Sequence, residues 1–181
     1  MHEPLFKIRQ NGFFGFMNAN GQVVIEPQYL DAGDFHNGFA RARLNDQWVP
    51  MDRLGRLLLK RVYRQLGPFE NGLARVQRVR LWGYIDERGN EVIPAVFDQA
   101  GDFSEGLAAV QLNGKTGYLQ PDGQFALQPA FQSGGAFRGG LAPASSGGRC
   151  GFIDPSGAFA IAPAWDECRP FEGPVAVVLR E

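Results

Sequence analysis

The chain has 181 residues, of which 44% are hydrophobic and 20% charged, and its formal net charge is −1. This composition predicts a folded protein with a hydrophobic core and excludes a disordered chain, while the near-neutral charge provides no overall basic field for nucleic acid. Glycine and proline, at 24 and 12 residues, are spread along the whole chain, which is typical of many short strands and tight turns.

The sequence contains no obvious targeting or membrane segment. Residues 1–10 lack the apolar run of a signal peptide, and no run of about 18 apolar residues occurs anywhere. We therefore expect a cytoplasmic protein with no membrane-spanning segment. Cys150 and Cys168 are the only cysteines, too few for a disulfide-stabilised secreted module or a thiolate zinc site, so we expect both to be reduced core residues.

Five tandem copies of a 34-residue unit account for most of the chain, because several positions recur at this spacing without insertion or deletion. A similar period occurs in helical tetratricopeptide arrays, but each Gly costs a helix interior about 1 kcal/mol and each Pro about 3 kcal/mol, so we expect strands. The recurring residues are Phe35, Phe69, Phe103, Phe137 and Phe171; Gly21, Gly55, Gly89, Gly123 and Gly157; Tyr29, Tyr63, Phe97, Phe131 and Trp165; and Ala40, Ala74, Ala108, Ala142 and Ala176.

The third repeat shows the predicted strands most clearly. Gly89 lies in a turn that can take a positive φ, and Pro94 indicates a strand end, an edge strand or a bulge. The dipeptide Asn113-Gly114 predicts a two-residue hairpin turn into the next repeat. The predicted strands are residues 82–86, 91–97 and 107–112, with a loop at 98–106.

One repeat of this kind is a three-stranded ribbon too small to be stable alone, so we expect neighbouring copies to stack. The chain begins and ends with the same type of strand, because residues 5–12 align one period before residues 39–46. This order favours an all-β, open, twisted array or solenoid, with a five-bladed β-propeller as the alternative. The predicted boundaries of this single domain are 1–13 for an N-terminal strand cap and 14–47, 48–81, 82–115, 116–149 and 150–181 for the repeats.

The third repeat also resembles a known family. Its motif Trp82-Gly83-Tyr84-Ile85-Asp86, followed by Gly89 and by Glu91-Val92-Ile93-Pro94, resembles the WG-containing repeat of bacteria. The resemblance covers essentially the whole chain and implies a β-repeat scaffold with no catalytic residues and no cofactor to transfer. In the other copies the Trp-Gly pair becomes Phe14-Gly15, Trp48-Val49, Thr116-Gly117 and Cys150-Gly151.

The sequence offers little material for catalysis, and we predict no catalytic, cofactor or metal site. His2 and His36 are the only histidines, and His36 is expected in an exposed turn. Asp52, Asp86 and Asp154 share one repeat position after the first strand, where they are expected to start turns. Other carboxylates lie in only three of the five equivalent loops, which favours turn capping over a repeated calcium site; these are Asp31, Asp34, Asp98, Asp102, Asp166 and Glu167.

The distribution of charge is uneven, since ten of the 18 basic residues lie between Arg41 and Arg80. In the third strands, arginines alternate with Ala or Val, so they should project from the face opposite the packed one. They form either a solvated face paired with acids of neighbouring repeats or a patch that binds an acidic protein surface, with nucleic acid as the lesser alternative. The candidate partner-binding residues are Arg41, Arg43, Trp48, Arg75, Arg78 and Arg80.

These patterns predict a non-catalytic protein-interaction scaffold, of the adaptor or toxin-antidote kind. The alternative is a carbohydrate or cell-wall binding module that uses Trp82, Tyr84 and Tyr118 as exposed aromatic residues. A hydrolase that uses Asp86 and Asp154 is the weakest hypothesis, because a turn-starting role accounts for both carboxylates.

Overall fold

The protein is built from strands and turns. The computed structural model has twenty strands and no helix within the part of the chain that it describes, and the all-β prediction is confirmed. The chain divides into two compact units, Met1–Val79 with Gly83–Val92, and Arg80–Trp82 with Ile93–Glu181. The residues described are 3–36, 38–45, 47–58, 63–173 and 175–179.

Small antiparallel sheets follow one another along the chain, and consecutive strands are neighbours within each sheet. The first sheet contains β1 (Phe6–Gln10), β2 (Phe13–Met17) and β3 (Val23–Tyr29); the second contains β4 (Asp31–Ala32), β5 (Phe39–Leu44) and β6 (Gln47–Asp52); the third contains β7 (Gln65–Leu66), β8 (Leu73–Arg78), β9 (Leu81–Asp86) and β10 (Glu91–Phe97).

The later sheets keep the same strand lengths, with a two-residue strand first and a seven-residue strand last, until a final pair of very short strands. The fourth sheet contains β11 (Gln99–Ala100), β12 (Ala108–Leu112), β13 (Lys115–Leu119) and β14 (Phe125–Phe131); the fifth contains β15 (Ser133–Gly134), β16 (Ala142–Ser146), β17 (Arg149–Ile153) and β18 (Phe159–Trp165); the sixth contains β19 (Glu167–Cys168) and β20 (Val178–Leu179).

Each sequence repeat is divided between two sheets. Repeat 14–47 contributes β2 and β3 to the first sheet, and β4 and β5 to the second. The three longer strands of a repeat are therefore shared between neighbouring sheets and do not form a separate ribbon. Only Leu30 separates β3 from β4, and a tight hairpin needs about two turn residues, so the chain passes to the next sheet instead of folding back.

The local predictions in the third repeat are largely confirmed. Strand β10 has the predicted bounds, and Pro94 lies on this strand at the edge of its sheet. Gly89 has a φ of 75°, and Asn113 and Gly114 have φ values of 51° and 74°, as a two-residue hairpin turn requires. The predicted loop 98–106 is not all loop, because it contains the short strand β11.

The glycine of the Trp-Gly position has a packing reason. In the first sheet, Phe14 pairs with Tyr29 and Phe16 with Ile25, so the longer strand bulges opposite Gly15. A Cβ atom on Gly15 would lie 2.4 Å from the carbonyl oxygen of Ile25, and on Gly151 it would lie 2.4 Å from that of Ile161. Only glycine lets the bulged strand approach so closely.

Hydrophobic cores lie between several pairs of neighbouring sheets, as the stacking prediction requires. One core joins Phe16, Ile25 and Tyr29 of the first sheet to Ala40 and Met51 of the second. The recurring phenylalanines pack on the central strand of the preceding sheet: the ring centroids of Phe35 and Phe16 are 4.7 Å apart, those of Phe137 and Tyr118 5.0 Å, and those of Phe171 and Phe152 5.0 Å. These recurring phenylalanines therefore pack against aromatic residues within the fold.

Candidate functional site

The recurring carboxylates after the first strand start turns, as predicted. The Oδ1 atom of Asp52 accepts hydrogen bonds of 2.9 Å from the backbone N–H groups of Leu54 and Arg56. Asp154 accepts equivalent bonds of 2.8 and 3.2 Å from Ser156 and Ala158. Burial by itself would raise the pKa of Asp52, but the hydrogen bonds and charge of Arg56 hold that pKa below its usual value.

Among the loop carboxylates, Asp31 caps its turn by accepting a 2.8 Å hydrogen bond from the backbone N–H of Ala32, and three others form ion pairs. Asp34 lies 3.5 Å from Lys7, Asp166 lies 3.5 Å from Arg149, and Glu167 lies 3.0 Å from Arg169. Within the described residues, no three His, Cys, Asp or Glu side chains are grouped so that they could hold a metal ion. Nor do those residues include a helix long and apolar enough to span a membrane.

Two of the three aromatic residues expected for carbohydrate binding are buried. Tyr84 and Tyr118 are fully buried, and Trp82 is half-buried. The prediction that these three side chains are exposed was wrong for the two tyrosines, because their strand position faces the core between sheets. The Tyr118 hydroxyl donates a 3.0 Å hydrogen bond to the carbonyl oxygen of Gly135, and burial raises its pKa.

The arginines of β5 project as predicted. Ala40 and Ala42 are 1% and 0% exposed, whereas Arg41 and Arg43 between and after them are half-buried on the other face. The same alternation holds in β8, where Arg75 is half-buried between the buried Ala74 and Val76. Half-buried arginines of this kind are available for packing as well as for solvent.

Arg41 is engaged inside the molecule. Its guanidinium carbon lies 4.6 Å from the centre of the Trp48 ring, and its Nη1 donates a hydrogen bond to the carbonyl oxygen of Leu66 in the next sheet. Gly33 leaves room for the Arg41 stem, because a Cβ atom there would lie 2.9 Å from Arg41 Cγ. Arg41 and Trp48 therefore make contacts within the chain, whereas the sequence analysis predicted that they bind a partner.

Lys7 makes the same arrangement one repeat earlier. Its Nζ donates a 3.0 Å hydrogen bond to the carbonyl oxygen of Ala32 and lies 5.9 Å from the centre of the Phe14 ring. Lys7, Phe14 and Ala32 are each 34 residues before Arg41, Trp48 and Leu66. We call this combination of a cation, an aromatic ring and a carbonyl of the next sheet a cation bracket. Sequence reasoning missed it, although the 34-residue register places its members at matching positions.

A pocket of about 260 Å³ lies beside the two brackets. It is lined by Lys7, Arg41 and Trp48 together with Asp31, Asp34 and His36. His36 is exposed, as predicted. Because Lys7 is paired with Asp34 and Arg41 with the Leu66 carbonyl, the pocket's charged groups are largely satisfied within the chain.

The two cysteines form a disulfide, with a Cα–Cα distance of 6.0 Å between Cys150 and Cys168. The prediction of two reduced cysteines was therefore wrong. Cys150 and Cys168 are each 102 residues, or three repeats, after Trp48 and Leu66. The disulfide thus joins the fifth and sixth sheets at the positions where a cation bracket joins the second and third. A second pocket, of about 200 Å³, lies beside it.

The exposed members of the predicted basic patch are Arg78 and Arg80. Arg78 forms a 3.0 Å ion pair with Glu91, and its side chain is still 45% exposed. Arg64, also in the basic segment, is exposed. The six candidate partner-binding residues therefore divide into Arg41 and Trp48 in a bracket, Arg43 and Arg75 half-buried, and Arg78 and Arg80 on the surface.

The fold is similar to that of Hsv2 from Kluyveromyces lactis, which is β-propeller-like. One Hsv2 structure matches with a TM-score of 0.54 at 12% identity over 87% of this chain and 59% of that chain. A second matches with a TM-score of 0.53 at 15% identity over 86% and 58%. This chain spans less than two thirds of the Hsv2 chains, and the likeness shows the fold alone, so the open array stays a prediction.

Comparison with curated protein sequences gives no match. The family described as WG containing repeat matches five successive segments, residues 14–48, 51–78, 82–115, 117–150 and 151–180. These matches cover most of the chain and confirm the resemblance that the third repeat carries. The chain belongs to the WG-containing repeat family.

Proposed function

We propose that this protein is a non-catalytic protein-interaction scaffold, of the adaptor or toxin-antidote kind, that binds the acidic surface of another protein. The observation that carries the proposal is that three arginines of one sequence segment, Arg64, Arg78 and Arg80, are exposed, with 45% of the Arg78 side chain exposed beside its ion pair with Glu91. Arginine is well suited to such contacts because its planar guanidinium binds carboxylates in a bidentate manner.

The distribution of charge supports an acidic partner. Residues 1–80 contain 12 Lys or Arg and 7 Asp or Glu, whereas residues 81–181 contain 6 and 12. The first segment is therefore net positive by five charges in a chain whose total is −1. Complementary charge accelerates encounter between proteins and selects against like-charged partners.

The experiment that tests this function is affinity capture with the purified chain as bait, in about 150 mM and about 500 mM salt. We expect a protein to be retained at the lower salt and to be lost when Arg78→Glu and Arg80→Glu are combined. The matched control combines Lys115→Glu with Arg138→Glu, which makes the same change of charge at exposed residues of later repeats. Equal loss with both variants, or retention of nucleic acid instead of protein, contradicts the proposal.

The disulfide bears on where the protein works. Disulfides persist in oxidising compartments and are rare in the cytoplasm. Cys150 and Cys168 therefore favour an oxidising compartment over the cytoplasm expected from sequence. Alkylation of the protein inside living cells before lysis, followed by mass spectrometry, measures the fraction of Cys150 that is bonded; a fully alkylated Cys150 contradicts the oxidising location.

A further inference from the structure

The two-residue hairpin turns at one repeat position begin with Asn or Gly in four cases and with Val in one, and their second residues vary as well. Five pairs of strands, beginning with β1–β2 and ending with β16–β17, are joined by two-residue turns at equivalent positions. The first residue of each turn is in the left-handed conformation. These residues and their φ values are Asn11, 52°; Asn45, 52°; Val79, 54°; Asn113, 51°; and Gly147, 61°.

Val79 is strained where its equivalents are not. In the left-handed region the Cβ atom comes close to the following carbonyl oxygen, and a β-branched residue is a genuine outlier there. Asn and Gly adopt this conformation readily, and they occupy the other four turns. Val79 gains no burial in return, since it is 82% exposed. The fold therefore gains no stability from valine at this position, and backbone strain tends to cluster at functional sites.

The residues around Val79 give the turn a particular chemistry. Arg78 precedes it and, although ion-paired with Glu91, keeps 45% of its side chain exposed. The residues at the position of Arg78 in the other turns are uncharged: Gln10, Leu44, Leu112 and Ser146. Arg80 and Leu81, the next two residues, are also exposed, Leu81 by 40%. An exposed apolar side chain that follows an arginine matches an apolar pocket with carboxylates at its rim.

We propose that Val79 is the apolar contact through which this protein binds its partner, entering an apolar pocket on an acidic protein while Arg78 faces carboxylates at the edge of that pocket. The inference rests on the proposed function and adds the place and the chemistry of the contact. A polyanion such as nucleic acid needs the arginines alone, so the requirement for Val79 separates a protein pocket from a polyanion.

The deciding variant is Val79→Asn, which installs the residue present at 11, 45 and 113. Because it relieves the strained backbone, we expect its Tm to rise by about 2–4 °C. We expect the binding of the protein captured by the wild-type chain to weaken at least tenfold, measured by titration calorimetry with the full chain. A more stable protein that binds worse is a combination that damage to the fold does not produce.

The matched control is Asn113→Val, which imposes the same strained residue on an equivalent turn. It should lower the Tm by a similar amount and leave binding unchanged. Arg78→Gln should weaken binding more at about 50 mM than at about 300 mM salt, because the contact it removes is screened by ions. Val79→Asn binding as tightly as wild type overturns the role of Val79 while the scaffold function stands. If the wild-type chain retains no protein at all, the scaffold function itself is wrong.

Photo-cross-linking identifies which residues of the partner lie beside the turn. Leu81→benzoylphenylalanine places a photoreactive group next to the turn in the full-length chain. We expect it to label an apolar site on the partner that has Asp or Glu residues beside it, and we expect Val79→Asn to reduce the labelling. Labelling of a second copy of this chain, or of a partner surface without carboxylates, overturns the proposal.

Discussion

Two pairs of neighbouring sheets are connected at the same repeat positions by different kinds of contact, and we call each such connection a joint. Between the second and third sheets, Arg41 stacks on Trp48 and donates to the carbonyl of Leu66. Between the fifth and sixth, the positions of Trp48 and Leu66 are Cys150 and Cys168, and a disulfide joins them. The residue at the position of Arg41 is Pro143, which has no charge and no donor.

The comparison shows that the repeat determines the positions of the joints, whereas the side chains that form each joint differ. The first joint uses Lys7 and Phe14. In the fourth, the matching positions are Thr116 and Gly134, and a neighbouring pair is bonded instead, because the hydroxyl of Tyr118 donates to Gly135. A cation on an aromatic ring or a covalent bond can each occupy the matching positions, because the backbone geometry is repeated. Some of the basic residues concentrated in the early repeats therefore tie neighbouring sheets together, whereas the sequence alone suggested that they bind a partner.

The largest effect is expected from breaking the covalent joint. Replacing Cys150→Ser together with Cys168→Ser opens a loop with a sequence separation of 18, which should lower the free energy of unfolding by about 3 kcal/mol. Urea unfolding of the variant and of the reduced wild type measures this loss. The two should agree closely, whereas unchanged stability in both means that the last joint is held by packing alone.

A smaller loss is expected from breaking the cation bracket. Arg41→Ala removes the cation–π contact and the hydrogen bond to Leu66, and should cost about 2 kcal/mol. In a double-mutant cycle with Trp48→Ala, the coupling energy should be about 1 kcal/mol. Arg138→Ala, at an exposed position, is the control and should change stability by less than about 0.5 kcal/mol. A coupling energy near zero indicates that the ring and the guanidinium do not stabilise each other.

The sequence predicts the local structure of this protein better than its joints. The strand Glu91–Phe97 with its edge proline, the glycine at position 89 and the Asn113-Gly114 turn each depend on neighbouring residues, and the structure agrees with them. The joints combine residues from different sheets, such as Cys150 with Cys168, whose proximity follows from the way in which the strands of one repeat are shared between sheets. A count of cysteines contains no information on that sharing, so the disulfide could not be predicted.

The candidate site shows the same limit. The alternation of Arg41 with Ala40 and Ala42 correctly predicts which face the arginine occupies. It does not predict that the side chain reaches a carbonyl 25 residues away in the next sheet. The strain at Val79 is likewise visible only when its turn is compared with the four equivalent turns.

Moving the covalent joint to the second sheet sharpens the comparison further. Trp48→Cys with Leu66→Cys places cysteines at the positions that Cys150 and Cys168 occupy three repeats later. Closing the loop should add about 3 kcal/mol, and losing the bracket and the Trp48 packing should remove most of it, so we expect a net gain of about 1 kcal/mol in the oxidised form. Reduction should leave the variant less stable than wild type. If the two cysteines do not bond under oxidising conditions, the two joints differ in backbone geometry.

The smallest expected change in stability comes from the aspartates that start the turns after the two joints. Asp52 ends the strand of Trp48, and Asp154 directly follows the strand of Cys150. Hydrogen bonds lower the pKa of both carboxyls. A carboxyl whose pKa is lower in the folded state stabilises the protein above its unfolded pKa of about 3.9, and this stabilisation is lost as the pH falls through the folded value.

Asn18 fills the same turn position in the first repeat and accepts 3.0 Å hydrogen bonds from Asn20 and Gln22. Asp52→Asn should therefore keep the turn and change the stability at pH 7 by less than about 0.5 kcal/mol. It should also remove part of the loss of stability below about pH 4, because an amide does not titrate. Unfolding curves of wild type and variant at pH 7 and at about pH 3 measure both effects. A variant that loses as much stability in acid as the wild type shows that the charge of Asp52 is not coupled to folding.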